Sequence, residues 1–291
     1  MEKNNLWLLR YLFFCGLILM PMHLFTGCSE KKEGNLTTKE IIRFNDISSE
    51  SWKALSRKRV FFGHHSVGRN ILQGIREIMN DRPDISLNLK ETETLAAVNG
   101  PLFAHYRVGD NLDPYSKIDH FREILKNAST DGALDIAFFK MCYVDIDSNT
   151  DIQKIFDYYK RTLSDLELLY PNTLFIHFTV PLKASPGGLK TWVKRLIGYP
   201  VKWTDPQNIM RNEYNQLVLR AYEGNKPVFD LAMWESTYPN GNREYFKKSG
   251  EKHYTLVPEY TFDGGHLNDK GRRVIAEKLL AFLGTICEAR N

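Results

Sequence analysis

The chain has 291 residues, 43% of them hydrophobic and 25% charged, enough apolar material for one large domain or two small ones. Its formal charge of +4 is small and scattered. The densest basic stretch, Lys190 to Lys202, is broken by Trp192, Leu196, Ile197 and Tyr199, so no continuous cationic face argues for a nucleic-acid partner.

Residues 1–27 read as a lipoprotein signal peptide. Lys3 and Arg10 give a positive start, Tyr11 to Met20 is apolar, and Leu24-Phe25-Thr26-Gly27-Cys28 is similar to a bacterial lipobox. The apolar run is short for a bilayer span of about 20 residues. Cys28 would then carry the lipid and be the membrane partner, residues 28–49 would form a tether and N-terminal extension, and 50–291 the folded domain. The expected address is the bacterial cell envelope. Of four cysteines, Cys15 leaves with the signal, and Cys142 and Cys287 lie in strongly patterned segments as free buried thiols.

From residue 50 onward apolar strands alternate with longer amphipathic stretches, the pattern of an α/β fold with a mainly parallel sheet. Arg59 to Gly63 is the first strand. Val67 to Met79 follows as a helix, with Ile71, Leu72, Ile75 and Ile78 on one face. Asp84 to Lys90 alternates as a second strand, and Leu134 to Tyr143 is apolar enough for a central strand covered on both sides. Asp151 to Leu169 is a helix stopped by Tyr170-Pro171. Thr173 to Val180 and Pro227 to Leu231 are further strands, separated by a helix over Asn208 to Tyr222, and Lys270 to Leu283 closes the chain as a helix. Glu91 to Pro114 and Ser236 to Phe262 look irregular, and long irregular segments in a compact domain tend to be functional.

Two short segments carry chemistry. In Gly63-His64-His65-Ser66-Val67-Gly68 a serine stands where the first strand gives way to a helix, so its hydroxyl can sit above the sheet beside unpaired helix amides. Ser is also a common helix cap, and the segment alone does not choose. In Asp263-Gly264-Gly265-His266-Leu267-Asn268, an acid and an imidazole share a turn ahead of the last helix. An alcohol nucleophile needs such a base, and the base needs an acceptor on its other nitrogen. Asn268 starts the final helix, with Gly271 in its first turn.

These residues together resemble the SGNH, or GDSL-type, hydrolase superfamily, over roughly Val60 to Leu283. The resemblance implies a three-layer α/β/α sandwich with a five-stranded, mainly parallel sheet of flavodoxin-like kind. By it Ser66 is the nucleophile, His266 the base and Asp263 its orienter, and no cofactor or metal is required. The implied activity is that of a serine esterase acting through an acyl-enzyme, with an acylated small molecule or polysaccharide as partner. Acetyl esters on carbohydrate fit an exported member.

The chain departs from the family pattern at two places. His65 precedes the serine where an acid is usual. Lys140-Met141-Cys142-Tyr143-Val144-Asp145 stands where the family has Gly-x-Asn-Asp, whose Asn side chain helps form the oxyanion hole. Candidates for that role are His64, His65, Gly100, Gly109 and Lys140. A lysine at a strand end is a poor core residue without a partner, so Lys140 is expected in the cleft, with Asp145 or Asp147 beside it. His177 is expected as a core histidine. A zinc site from His64, His65, Asp263 and His266 has suitable donors but no supporting spacing, and Cys142 is a weaker candidate nucleophile. An acyltransferase with the same triad and a non-catalytic glycan-binding protein with the same fold remain as alternatives.

Overall fold

A computed structural model describes residues 43–95, 100–128, 134–185, 197 and 205–289. The segment expected to be a signal peptide, Cys28, Asn99 and, apart from Ile197, the Lys190–Lys202 stretch lie outside them. Six strands form one sheet: β1 (Arg59–His64), β2 (Leu89–Glu91), β3 (Leu102–Arg107), β4 (Ile136–Phe139), β5 (Leu174–Phe178) and β6 (Val228–Phe229). Their order is β2-β3-β1-β4-β5-β6, and every pairing is parallel.

The sequence pattern anticipates five strands, and five form the body of the sheet, with β2 a three-residue edge strand. The difference lies in which segment flanks β1. Asp84 to Lys90 is not a full strand: Arg82 and Asp84 close on each other through paired hydrogen bonds, and only Leu89–Glu91 pairs, at the edge. Leu102–Arg107, inside the stretch expected to be irregular, lies against β1 from Arg59↔Leu102 to His64↔Arg107. The second irregular stretch also holds structure, an antiparallel hairpin of β7 (Tyr245–Lys248) and β8 (Glu251–Tyr254).

Helices cover both faces, as a parallel sheet requires. Helices α1 (Ser49–Ser56), α2 (Ser66–Asp81) and α7 (Asp269–Ala289) bury Trp52, Ile71, Ile75, Ile275 and Leu279 with Phe62, Phe138 and Phe178 of the strands. Helices α3 (Pro114–Ala128), α4 (Ile152–Leu169) and α5 (Asp205–Tyr222) bury Phe121, Phe156, Tyr159 and Tyr214 with Phe61, Ala137 and Phe139. A one-turn extension, α6 (Leu231–Ser236), follows β6. Adjacent Phe61 and Phe62 enter different cores because side chains alternate along a strand. No helix among the described residues is long and apolar enough to cross a membrane.

The order of the strands fixes where a ligand can sit. The chain builds outward from β1 on one side through β3, then crosses to β4 on the other. The carboxyl end of β1 therefore lies at the switch point, the usual crevice of open α/β sheets. Helix α2 leaves from this point, and α7 packs alongside it. Their approach is close at Gly74, where an added Cβ would stand 2.4 Å from the carbonyl oxygen of Arg272. Arg272 also pairs with Glu77, and Arg273 with Asp81. Because that clash is with backbone, Gly74→Ala is expected to lower the unfolding free energy by about 1–3 kcal/mol, measurable by urea denaturation.

Candidate active site

The turn ahead of α7 is built around one carboxylate. Asp263 Oδ1 accepts the amides of Gly265 (2.9 Å) and His266 (2.8 Å), while Oδ2 accepts from His266 Nδ1 at 2.5 Å. Partial burial pushes the Asp263 carboxyl up, but these hydrogen bonds outweigh it and hold the group at about 2. It is therefore a carboxylate at neutral pH, which fixes a proton on Nδ1 of the neutral imidazole and leaves Nε2 with the free lone pair. The glycines have separate reasons. Gly264 sits at φ +85°, a left-handed turn that favours glycine. Gly265 leaves room for a ring, since a Cβ there would lie 2.8 Å from Tyr143 Cζ.

Ser66 is the first residue of α2 and is half-buried. It does not cap its own helix, and the N-cap residue His65 makes no side-chain cap either. Among the described residues no group accepts from the amides of Ser66, Val67 or Gly68, so the helix start presents unused donors. One turn further, Asn70 Oδ1 accepts the Leu267 amide at 3.2 Å. This bond ties the helix that begins at Ser66 to the residue following His266. Ser66 and His266 make no hydrogen bond with each other; the neighbour of His266 Nε2 is the Tyr143 hydroxyl, at 3.4 Å.

The oxyanion candidates are placed elsewhere. Arg76 donates to His105 Nε2 (3.2 Å), which leaves His105 Nδ1–H to donate to His64 Nε2 (3.1 Å) and His64 Nδ1–H to donate to the His65 carbonyl (3.0 Å). The chain of donors works only if both imidazoles are neutral. Burial agrees, pushing His64 down to about 3 and His105 to about 4. His65 Nε2 donates to the carbonyls of Val108 (2.7 Å) and Gly109 (3.0 Å), pinning the loop after β3. Gly109 offers no free donor, because its amide is given to His120 Nδ1 at 3.0 Å. Gly100 lies at the opposite end of the sheet, where its carbonyl accepts from Arg59 at the start of β1.

Lys140 is not in the cleft. It is 1% exposed, its Nζ reaches the Met141 carbonyl at 3.3 Å, and burial pushes its pKa down. The partner expected for it belongs to another residue: Lys117 Nζ meets both oxygens of Asp145 at 2.6 Å, with both side chains fully buried. Asp145 also accepts from the amides of Leu112 and Cys142. Asp147 instead closes the turn before α4 through Asn149 and Thr150. His177 is a core residue as expected, bonded to the Tyr159 hydroxyl at 2.8 Å and stacked on Tyr222. Cys142 is a free thiol, and both Cys142 and Cys287 are buried. Among the described residues no three His, Cys, Asp or Glu side chains gather as a metal site.

Tyr143 is the site residue missed in the sequence. Its ring meets the His266 ring edge-on at 5.8 Å, with Lys183 Nζ 5.2 Å and the Arg211 guanidinium 5.9 Å from its centroid. Burial raises its pKa to about 12, helped by the Asp263 charge, so it keeps its proton. Phe262, 72% exposed, lies nearly parallel to the imidazole, with ring centroids 6.2 Å apart.

No family model matches the chain, and no curated protein matches it. Among solved structures it is similar to a GDSL-like lipase from Bacteroides thetaiotaomicron, at 13% identity and TM-score 0.43 over 85% of this chain and 98% of that one. It is similar to an acetyl xylan esterase at 16% identity and TM-score 0.42, over 76% and 96%. It is also similar to the periplasmic domain of a lipopolysaccharide acetyltransferase from Salmonella ser. Paratyphi A, at 10% identity and TM-score 0.40, over 82% and 98%. Likenesses this remote carry no argument about chemistry, which rests on the residues themselves.

The neutral histidines give a pH dependence with a definite sign. His64 and His177 are each lowered by burial to about 3, against about 6.5 in an unfolded chain. Below pH 6.5 the unfolded state takes up protons that the folded state refuses, so stability falls as pH drops from 6.5 toward 3. The expected slope is at most about 1.4 kcal/mol per pH unit for each histidine. Urea denaturation between pH 7 and 4 should show that slope, and His64→Asn should reduce it by one proton's worth.

Proposed function

We propose that this protein is a serine esterase in which Ser66 forms an acyl-enzyme, His266 is the base and Asp263 orients it. The observation that carries the reading is the Asp263–His266 pair, with Nε2 left as the acceptor and its turn bonded to Asn70 one helical turn from Ser66. An ionised carboxylate on Nδ1 and an acceptor lone pair on Nε2 are what deprotonating an alcohol requires.

In the proposed reaction Ser66 Oγ bonds to the acyl carbon as its proton passes to His266 Nε2. The carbonyl electron pair moves onto oxygen, where the unused amides at the start of α2 donate to it. As the pair returns, the bond to the leaving alkoxy group breaks and that oxygen takes the proton from Nε2. Water then repeats the sequence on the acyl-enzyme, releasing the acid and restoring Ser66. Asp263 stays ionised throughout and stabilises the imidazolium.

For the substrate, the sequence resemblance together with the export signal favours acyl groups on carbohydrate, acetyl in particular. For location we propose a bacterial envelope lipoprotein anchored through Cys28. Incorporation of a labelled fatty acid by the full chain, lost in Cys28→Ser, checks the anchor.

The mechanism is tested on a short-chain aryl ester. Ser66→Ala and His266→Ala should each lower kcat by at least ~10³-fold, and the double variant little further, because the two act as a unit. Asp263→Asn should cost up to about 10⁴-fold by permitting the wrong tautomer. Equal turnover by wild type and Ser66→Ala would overturn the reading.

A further inference from the structure

We infer that Tyr143 is a catalytic residue whose phenol O–H donates to the oxyanion of the tetrahedral intermediate. This rests on the esterase reading above and adds a side-chain donor to the backbone amides of that reading. Stabilising the oxyanion takes preorganised donors at the place where charge develops. The start of α2 supplies backbone amides, but they belong to one strand-to-helix turn and approach from one side. The loop after β3 cannot supply another through Gly109, whose amide is held by His120. His64 and His65 spend their ring protons on backbone carbonyls, and Lys140 is buried against the Met141 carbonyl.

The phenol of Tyr143 is the side-chain donor that the described residues bring within hydrogen-bond reach of the base, 3.4 Å from His266 Nε2. That lone pair must receive the Ser66 proton during attack. In the esterase reading the tetrahedral carbon bonded to Ser66 Oγ forms next to this base, at the ring nitrogen that the phenol already faces. When substrate arrives, the hydroxyl needs only to rotate about its C–O bond to leave the imidazole and point at the new oxyanion. It moves no proton across: the O–H bond stays intact, and the charge it meets is neutralised later by collapse of the intermediate.

The surroundings fix the ring for that task. The Tyr143 carbonyl accepts from Arg211 Nε at 2.7 Å, and Asp145 two residues on is locked by Lys117. Gly265 removes the one side-chain atom that would push the phenol away. Lys183 and Arg211 over the ring make the O–H a better donor to an anion, and burial keeps the proton in place at neutral pH.

The test compares an ester with its thionoester, whose C=S sulfur accepts hydrogen bonds weakly. With the oxo-ester, Tyr143→Phe is expected to lower kcat about 10²-fold while KM changes less than about 3-fold and the melting temperature is retained. With the thionoester the same variant is expected to lose much less, so the oxo/thiono ratio of kcat/KM collapses. A Tyr143 that only supports His266 would slow both esters equally, and that result, or an unchanged kcat, overturns the inference. Gly265→Ala, which keeps the phenol but displaces it, should reproduce the loss of the ratio and serves if Tyr143→Phe is poorly folded. If wild type and Ser66→Ala hydrolyse the ester equally, the esterase reading itself fails and takes this inference with it. Wild-type activity that depends on Ser66 and not on Tyr143 removes only the inference.

Discussion

The close packing of α2 on α7 is the constraint on which the site depends. Ser66 and His266 are 200 residues apart in sequence, and each stands at the amino end of a helix, where position is set by how that helix lies. Gly74 lets the two backbones approach, and the Glu77–Arg272 and Asp81–Arg273 pairs fix their register along the axis. Asn70 then joins α2 to the turn before α7. A shift of one helical step between these helices would move Ser66 relative to His266 by about 1.5 Å per residue, a displacement that would matter for the proposed chemistry. The large apolar interface formed by Ile71, Ile75, Ile275 and Leu279 supplies stability; the polar ties supply the alignment.

A second constraint is the set of charges buried under the carboxyl edge of the sheet. Lys117 and Asp145 are both fully buried, and an ion pair in such a place returns little net stability once desolvation is counted. Its value here is local order. Asp145 gathers the amides of Cys142 and Leu112, so the loop after β4 and the loop after β3 are held to one carboxylate. Leu112 is thereby kept at φ 70°, a conformation a leucine adopts only at a cost of order 1 kcal/mol or more. Glu235 is buried with one oxygen unpaired, and burial pushes it up while pushing Lys140 down. Lys117, Lys140, Asp145 and Glu235 are thus four charged-type side chains buried in one domain, where such residues are rarely fully buried unless paired.

The legibility of the chain follows the range of its signals. Local ones survive: α2 and α7 are written in apolar spacing, and Asp263 to His266 in a four-residue turn whose glycines have reasons within or beside the turn. The strand β3 was hidden because His105, Tyr106 and Arg107 break its apolar run, although His105 is buried against His64 and Arg76. Helix α3 was hidden because its first residue is Pro114, acceptable at a helix start but easily taken for a loop. Lys140 was misplaced because the need of a buried lysine for a partner is visible in sequence while the identity of the partner is not: Lys117 took the acid. Tyr143 had a signal only in combination, since the missing Cβ of Gly265 makes sense once the phenol is seen against it.

The start of α2 departs from the local rule for helix ends. A serine at this boundary would by default cap the helix, a contribution of about 1 kcal/mol. Here Ser66 has moved one place inward, its hydroxyl caps nothing, and the N-cap residue is a histidine whose ring is turned away to hold the next loop. Among the described residues no acceptor meets the amides of Ser66, Val67 and Gly68, and Asn70 one turn on is bonded to the residue after His266. An uncapped helix end at the switch point of a parallel sheet is a loss for folding. It becomes an advantage when an oxygen develops negative charge at that spot, because donors already committed to a cap would have to be released first. His65, which stands where the family has an acid, and His64 before it therefore act as struts, one holding the loop after β3 and the other bonded to His105, while in the proposed reaction the charge chemistry falls to Asp263, His266 and the phenol of Tyr143.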